Sequence, residues 1–285
     1  MPQRIGPYTV STLIAGRFRL DGGAMFGNVP KTLWQREQPA DELNRIHLAA
    51  RCLFLQGEGR VILVDTGCGE KMSGKEAEIY AIDNAHDSLA AGLAARGIAP
   101  DQVTDVVLTH LHFDHAGGGT SVGPQGSLVP TFANATYHVQ RENLETALAP
   151  SLREVASYLP ANVEPLLQAG QLRTVEGEVE IVPGLFAFLS HGHTRGLQGV
   201  EVRGDAEQPS LFFPADLMPT DSHLRLPYTM GYDLHAAWII EEKARLLNRV
   251  RPERDLIVFE HAPHLGAGTI RMGKKYHEIA ERVDL

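Results

Sequence analysis

The sequence predicts a layered α/β protein built on mixed β-sheet. Short apolar runs typical of strands alternate along the chain with segments of helical periodicity. The order strand, helix, strand over residues 60–108 predicts a crossover connection between parallel strands. Several of the strand-like runs end in histidine or aspartate, and in layered α/β folds this edge of the sheet is where sites are built.

The composition is ordinary for a soluble globular protein. Of 285 residues, 43% are hydrophobic and 21% are charged, and the net charge of −9 disfavours a nucleic-acid surface. No apolar run is long enough to span a membrane. The first residues lack the pattern of a secretion signal, so a cytoplasmic location is expected. We expect a single domain over residues 1–285 with pseudo-halves of about 1–171 and 172–285. A homodimer is left open.

The two cysteines, Cys52 and Cys68, are too few for a disulfide framework or a zinc–cysteine site. They suit a reducing compartment. Cys68 follows Asp65 in a loop, so it lies either near an active site or in the interior as a small buried thiol.

The first half of the chain predicts strands before helices. Residues 8–21 suggest two antiparallel strands around Gly16. Residues 45–56 and 60–65 predict a hairpin whose apolar second arm lies centrally in a covered sheet. Helical spacing over 87–96 ends at a glycine, and the apolar run 105–108 predicts the next strand. Residues 135–139 predict a strand, 141–148 a short helix and 151–171 a connecting region.

The glycine-rich segment 21–34 carries four large apolar side chains, Met25, Phe26, Leu33 and Trp34. Long loops with apolar side chains often cover binding sites. Packing of the same side chains on the body of the protein is an equally good interpretation.

The second half repeats the strand-then-helix order. Residues 234–250 have the clearest amphipathic helical pattern in the chain. The predicted strands are 178–182, 185–189, 199–203, 210–213 and 255–259, and the last of these is the final clear strand.

The sequence THLHFDHAGGG, residues 109–119, places four potential metal ligands within six residues. His110 and His112 alternate along an extended segment and point to the same side, whereas Asp114 and His115 follow after the chain turns. The four side chains can therefore serve two neighbouring ions. Asp65, at the end of another strand, is either a turn cap or a residue that supports a ligand from behind.

Three more candidates follow strands of the second half, namely His193, Asp216 and His261. Imidazole nitrogens together with carboxylate oxygens are the ligands of zinc-type divalent ions. Seven candidates suffice for two ions, and Asp216 is a carboxylate that can bridge them. Zinc is the expected metal, with manganese, iron or cobalt as alternatives.

The chain resembles the metallo-β-lactamase superfamily over roughly residues 8–264. The features that carry the resemblance are, in order, the HxHxDH motif followed by glycines, the later GHT, an aspartate after an apolar strand and a final histidine. The resemblance implies a four-layer αβ/βα sandwich, with two mixed sheets face to face and helices outside. It implies a first ion held by His110, His112 and His193, a second held by Asp114, His115 and His261, and Asp216 between them. His191 and His264 are rivals of His193 and His261, and the motif context favours the latter pair.

The aspartate at position 216 resembles the hydrolases of esters, lactones and phosphoesters, since the true lactamases of this fold have cysteine or serine there. The resemblance implies a lactonase or esterase in which a hydroxide shared by two metal ions attacks the carbonyl and Asp114 orients it. A phosphotriesterase or phosphodiesterase is the alternative, and a non-catalytic metal-binding regulator is the third. Nuclease and diiron branches are disfavoured by chain length, charge and His112.

The substrate contacts are less well marked. Lactonases of this family have a tyrosine soon after the bridging aspartate, and here Pro219 stands there. Tyr228 and Tyr232 are the candidates to replace that tyrosine as a catalytic contact, although packing is the favoured interpretation for either. Met25, Phe26 and Phe113 are expected to form the apolar wall of the substrate pocket.

Overall fold

Two seven-stranded sheets and a two-stranded ribbon make up the β-structure of the computed structural model, which describes residues 2–72 and 74–285. The strands are β1 Gln3–Ile5, β2 Tyr8–Asp21, β3 Arg45–Gly57, β4 Arg60–Val64, β5 Asp105–Val107, β6 Thr120–Val122, β7 Leu128–Pro130, β8 Thr136–Gln140, β9 Leu172–Val175, β10 Glu180–Val182, β11 Leu185–Ser190, β12 Leu197–Val202, β13 Leu211–Phe213, β14 Leu256–Val258, β15 Ala267–Met272 and β16 His277–Val283. The helices are α1 Gly22–Phe26, α2 Lys31–Trp34, α3 Gly74–Ile79, α4 Leu89–Ala94, α5 Phe113–Ala116, α6 Arg141–Leu148, α7 Pro160–Gln168 and α8 Ala236–Arg249. Within the described ranges, no helix is long and apolar enough to cross a membrane.

Both sheets are mixed. The first has the order β1-β2-β3-β4-β5-β8-β9, antiparallel up to β4 and parallel from β4 onward. The second runs in sequence from β10 to β16, and its one parallel pair is β13 with β14, which α8 connects. The chain passes from the first sheet to the second between Val175 and Glu180. The predicted crossover from β4 through α4 to β5 is therefore confirmed.

The two sheets pack face to face because alternate side chains of their strands enter two different apolar cores. In β4, Ile62 and Val64 point into a core shared with Val200 and Val258 of the second sheet. Leu63 points the other way, into a core beneath the helices of the first sheet. The helix α8 covers the outer face of the second sheet. This period-two alternation between two buried faces gives the four layers of the predicted sandwich.

Three predicted elements were wrong. Residues 8–21 form one long strand, in which a bulge at Gly16 (φ 121°) shifts the register with β3. The connecting region contains α7, whose Pro160 stands in the first turn, where proline removes no helical hydrogen bond. Residues 255–259 are not the last strand, since β15 and β16 form a further hairpin at the sheet edge.

The segment 21–34 folds into the short helices α1 and α2 and packs on the protein body. Phe26 is fully buried and lies stacked between Trp34 and His223, with ring centroids 5.3 and 5.2 Å away. Leu33 is the exposed member of the set. The packing interpretation therefore holds for Phe26, and its assignment to the pocket wall is wrong, because aromatic stacking already occupies both ring faces.

Asp105 joins three neighbouring strands of the first sheet. Its carboxylate accepts hydrogen bonds from Arg60 of β4 at 2.8 Å, from His138 of β8 at 2.9 Å and from Thr104 at 2.8 Å. Burial raises the pKa of the Asp105 carboxyl, but these hydrogen bonds outweigh burial and lower the pKa below its ordinary value. The ionised carboxylate therefore stabilises the fold.

Replacing Asp105 with asparagine is expected to lower the free energy of unfolding by about 1–3 kcal/mol at pH 7, the cost of weakened bonds to a buried charge. A depressed pKa gives stability that is present above the unfolded-state value of about 3.9 and is lost as the pH falls through the folded-state value. Urea titrations at neutral and acidic pH should show this difference shrink below about pH 4. The exposed Asp101→Asn is the control, and a pH-independent difference would contradict the prediction.

Candidate metal centre

Four strand ends meet at one edge of the two sheets. The strands β5, β11, β13 and β14 each end three residues before a candidate ligand. The side chains brought together are His110, His112, Asp114, His115, His193, Asp216 and His261, all of which are buried. The expectation that these seven residues share one site agrees with their positions, and their role as metal ligands is taken up below as a proposal.

The first group consists of His110, His112 and His193. His112 Nδ1 lies 3.0 Å from His110 Nε2 and 3.3 Å from His193 Nε2. One ligand atom from each of the three residues lies within 4.8 Å of the others. Three imidazole nitrogens thus converge on one point, as the ligands of a divalent ion do.

The second group consists of Asp114, His115 and His261. His261 Nε2 and His115 Nε2 are 3.3 Å apart, and Asp114 Oδ2 lies 3.7 and 3.8 Å from these two nitrogens. The chain reaches this arrangement because α5 begins directly after His112 and turns Asp114 and His115 away from the first group. The split expected from the motif spacing is therefore present.

Asp216 stands between the two groups, and its Oδ2 lies near both, since it is also 3.6 Å from His115 Nε2 of the second group. Its Oδ2 lies 3.2 Å from His193 Nε2 in the first group, and its Oδ1 lies 3.1 Å from His261 Nε2 in the second. Ala215, just before it, has φ 48°, a backbone conformation that turns the chain sharply after β13. This placement suits a carboxylate that bridges two cations.

The chemistry of the centre fits bound cations. Asp216 Oδ1 is buried and has no hydrogen-bond partner, although an imidazole nitrogen is close. Burial holds the pKa of His110 and His112 well below the ordinary value, so their lone pairs are free to bind a metal. Burial also lowers the pKa of His261, but Asp216 outweighs it and raises the pKa to about 9. Asp216 thus attracts positive charge, which a divalent ion would supply.

Most of the converging imidazoles are held from behind through their second nitrogen. His193 Nδ1 lies 3.0 Å from Asp233 Oδ1, and His115 Nδ1 lies 3.1 Å from Asp65 Oδ2. His261 Nδ1 lies 2.8 Å from the Ala49 carbonyl oxygen. Such partners fix the tautomer and direct the free nitrogen at a metal, so the site is rigid before any ion enters.

Asp65 combines both roles considered for it. Its backbone has φ 60°, and its carboxylate accepts hydrogen bonds from Thr109 N at 2.7 Å and Thr109 Oγ1 at 2.6 Å. It therefore ties the end of β4 to the start of the histidine segment while it also faces His115. Glu260, which sequence reasoning missed, lies 3.2 Å from the same His115 nitrogen. Its position directly before His261 in the sequence was the one indication of this role.

Asp233 was also missed, because it lies in an irregular segment forty residues from His193 in sequence. Replacing it with asparagine is expected to weaken metal binding about 10–100-fold, since an amide does not fix the imidazole as a carboxylate does. A chelator competition titration measures this affinity. The exposed Asp205→Asn should bind metal as the unmodified chain does, and unchanged affinity in Asp233→Asn would show that His193 is held by other means.

A cavity of about 260 Å³ opens onto the metal centre. Met25 and Phe113 line it as expected, together with Tyr232. Tyr228 does not line it, because its ring packs edge-on against Phe26 with centroids 6.1 Å apart. The packing interpretation therefore holds for Tyr228. The other residues that line the cavity were not identified from the sequence, and they include Leu20, Tyr80, Arg153, Glu154 and Met230.

The rival histidines lie outside the cluster. His191 is partly exposed and lies 3.5 Å from Glu142, and His264 is exposed. The positions of His193 and His261 within the cluster agree with the choice that the motif context favoured, and their role as ligands stays a prediction. Cys68 is the small buried thiol that was expected, and burial raises its pKa well above the ordinary value, so it remains protonated.

Comparison with known proteins agrees with this arrangement. A model described as the metallo-beta-lactamase superfamily matches residues 47–261. An N-acyl homoserine lactonase of Bacillus thuringiensis is 28% identical over 227 residues, which cover 76% of this chain and 82% of that protein. The crystal structure of a probable metal-dependent hydrolase from Staphylococcus aureus is similar with a TM-score of 0.86 and 26% identity, covering 99% of this chain and 100% of that one.

A second solved structure is similar in fold. It is an N-acyl homoserine lactone hydrolase with the product N-hexanoyl-L-homoserine bound at its catalytic metal center. Its TM-score is 0.66 at 25% identity, and the match covers 89% of this chain and 93% of that one.

Proposed function

This chain belongs to the metallo-β-lactamase superfamily, and we propose that it is a metal-dependent hydrolase that opens the ring of N-acyl homoserine lactones. The observation that carries the proposal is Asp216, whose two oxygens face two separate ligand groups. The site lies at the bottom of a cavity with an apolar wall. The lactonase from Bacillus thuringiensis and the product-bound hydrolase support the choice of substrate.

We assign two divalent ions to the centre, with zinc as the metal that imidazole and carboxylate ligands favour. His110, His112 and His193 would hold one ion and Asp114, His115 and His261 the other, with Asp216 between them. When bound, such ions supply an activated water and polarise the substrate carbonyl. Elemental analysis of protein prepared without added metal tests the choice of zinc.

The chain's own side chains would bind and orient the substrate. Met25, Phe113 and Met230 offer apolar surface to the acyl chain, whereas Asp114 Oδ2 is a buried acceptor beside both histidines of its group. We assign to Asp114 the orientation of the attacking water by accepting its proton.

Tyr232 is the remaining candidate for a contact with the substrate carbonyl. It lines the cavity, and burial, with added negative charge from Asp114, raises its pKa, so the hydroxyl stays protonated and can donate. Replacing Tyr232 with phenylalanine is expected to lower kcat/KM for the lactone about 10-fold, the value of one hydrogen bond to developing charge. Tyr228→Phe is the matched control and should keep nearly full activity, so equal losses in both variants would reject the assignment.

The substrate class is tested by assaying the metal-loaded protein with N-hexanoyl homoserine lactone and with an aryl phosphotriester. Lactone opening is followed by proton release, and phosphotriester cleavage by the released phenol. We expect faster turnover of the lactone, and removal of metal by a chelator should abolish it. Turnover of the phosphotriester alone would replace this proposal with the phosphoesterase alternative, and inertness to both would favour a non-catalytic metal-binding protein.

A further inference from the structure

A second cavity, of about 330 Å³, lies apart from the metal centre between α4, the β6–β7 ribbon and the loop 69–71. None of the seven candidate ligands lines it. Its wall is mostly apolar, and the side chains that form it include Leu89, Leu93, Val122 and Phe132. Such a wall would accommodate a hydrocarbon chain, because burial of apolar surface is favourable in water.

A single ammonium group, that of Lys71, faces this apolar space. Its Nζ donates to the backbone carbonyl of Gly117, and no carboxylate pairs with it in the described part of the chain. Glu70 also lines the cavity, but its side chain is exposed at the rim. Burial lowers the pKa of the Lys71 ammonium to about 8, which a bound anion would reverse. The ammonium of Lys71 therefore has no ion-pair partner among the described residues, although Glu70 stands at the rim.

The Lys71 ammonium has donors left for an occupant. An ammonium group carries three N–H donors, and its bond to the Gly117 carbonyl uses one of them. A carboxylate could accept from the others, because each of its two oxygens has two lone pairs.

We propose that this cavity is a second binding site, which takes an amphiphilic carboxylate with an unbranched hydrocarbon tail. Lys71 binds the carboxylate, and the tail lies along Leu89, Leu93 and Phe132. The site stands independently of the hydrolytic function proposed above, because no residue of the metal centre takes part in it.

The site is also placed to influence the metal-binding segment. Lys71 holds Gly117, which comes two residues after His115. Gly118 N donates to the Gly67 carbonyl at 3.1 Å, and Thr66 N donates to the His115 carbonyl at 2.8 Å. A molecule bound to Lys71 would therefore contact a side chain that is hydrogen-bonded to the segment carrying His115.

Isothermal titration of the metal-loaded protein with sodium octanoate tests the site, with octanamide as the uncharged analogue. We expect octanoate to bind, octanamide to bind at least about tenfold more weakly, and Lys71→Met to lose about tenfold in octanoate affinity, as the loss of a hydrogen bond to a charged group implies. Lys75→Met removes an exposed lysine of the same segment outside the cavity, and it should bind as the unmodified protein does.

A second pair of variants separates this cavity from the metal centre, which could itself bind a carboxylate. Ala90→Phe adds a ring on the cavity wall and should block binding, whereas Ala94→Phe, on the same helix but outside the cavity lining, should not. Unchanged affinity in both Lys71→Met and Ala90→Phe would overturn the proposal, as would equal binding of octanamide. Crystals of the unmodified protein soaked in bromine-labelled octanoate give an answer that needs no variant, since bromine at the metal centre alone would also overturn it.

Discussion

Replacing Asp216 with alanine is expected to abolish metal-dependent lactone turnover, with a loss greater than about 100-fold, because removing a residue that merely orients a ligand already costs up to that much. The physical reason is that Asp216 is the one side chain whose two oxygens reach both groups. Without it, His193 and His261 lose the anion that offsets the charge of two cations held close together.

The Asp216→Ala experiment has two measurements. Initial rates with N-hexanoyl homoserine lactone report turnover, and elemental analysis reports metal ions per chain, which should fall below two. Asp101→Ala removes an exposed aspartate that belongs to neither ligand group, and it should leave both quantities unchanged. Full activity in Asp216→Ala would reject the two-ion scheme, even if the fold were intact.

Replacing Lys243 with methionine is expected to lower the free energy of unfolding by about 1–3 kcal/mol, because the cost of leaving buried carbonyl acceptors unpaired exceeds the gain from removing a buried ammonium whose pKa burial lowers to about 7. Lys243 is fully buried in α8, and its Nζ donates to the backbone carbonyls of His223 at 2.9 Å, Arg225 at 3.0 Å and Tyr228 at 2.6 Å. Methionine fills similar volume but leaves these three acceptors unpaired.

The loss should extend to the substrate cavity, because the segment that Lys243 holds continues into Met230 and Tyr232 of the cavity wall. Urea denaturation measures the stability, and KM for the lactone reports the looser wall. Lys275→Met, which removes an exposed lysine of the β15–β16 turn, should change neither. A Lys243→Met protein of normal stability would mean that water reaches the three carbonyls.

Local patterns predicted the parts of the fold that local physics governs. The hairpin of β3 and β4, the helix α6 and the crossover to β5 follow from apolar periodicity and turn residues. The errors fall where a distant partner decides the outcome. Whether residues 8–21 turn back or continue depends on β3, which pairs with both parts and accommodates Gly16 as a bulge.

The candidate metal centre divides in the same way. The sequence by itself determined the seven candidate ligands, because each follows a strand that ends at one edge and because the HxHxDH spacing separates two groups on either side of a turn. The tertiary structure alone decided which side chains support and surround them. Asp233 reaches His193 from forty residues away, Tyr232 faces the cavity while Tyr228 packs on Phe26, and no spacing in the sequence distinguishes these cases. Hydrogen bonding and burial depend on which distant segments come together, and only the folded chain specifies that.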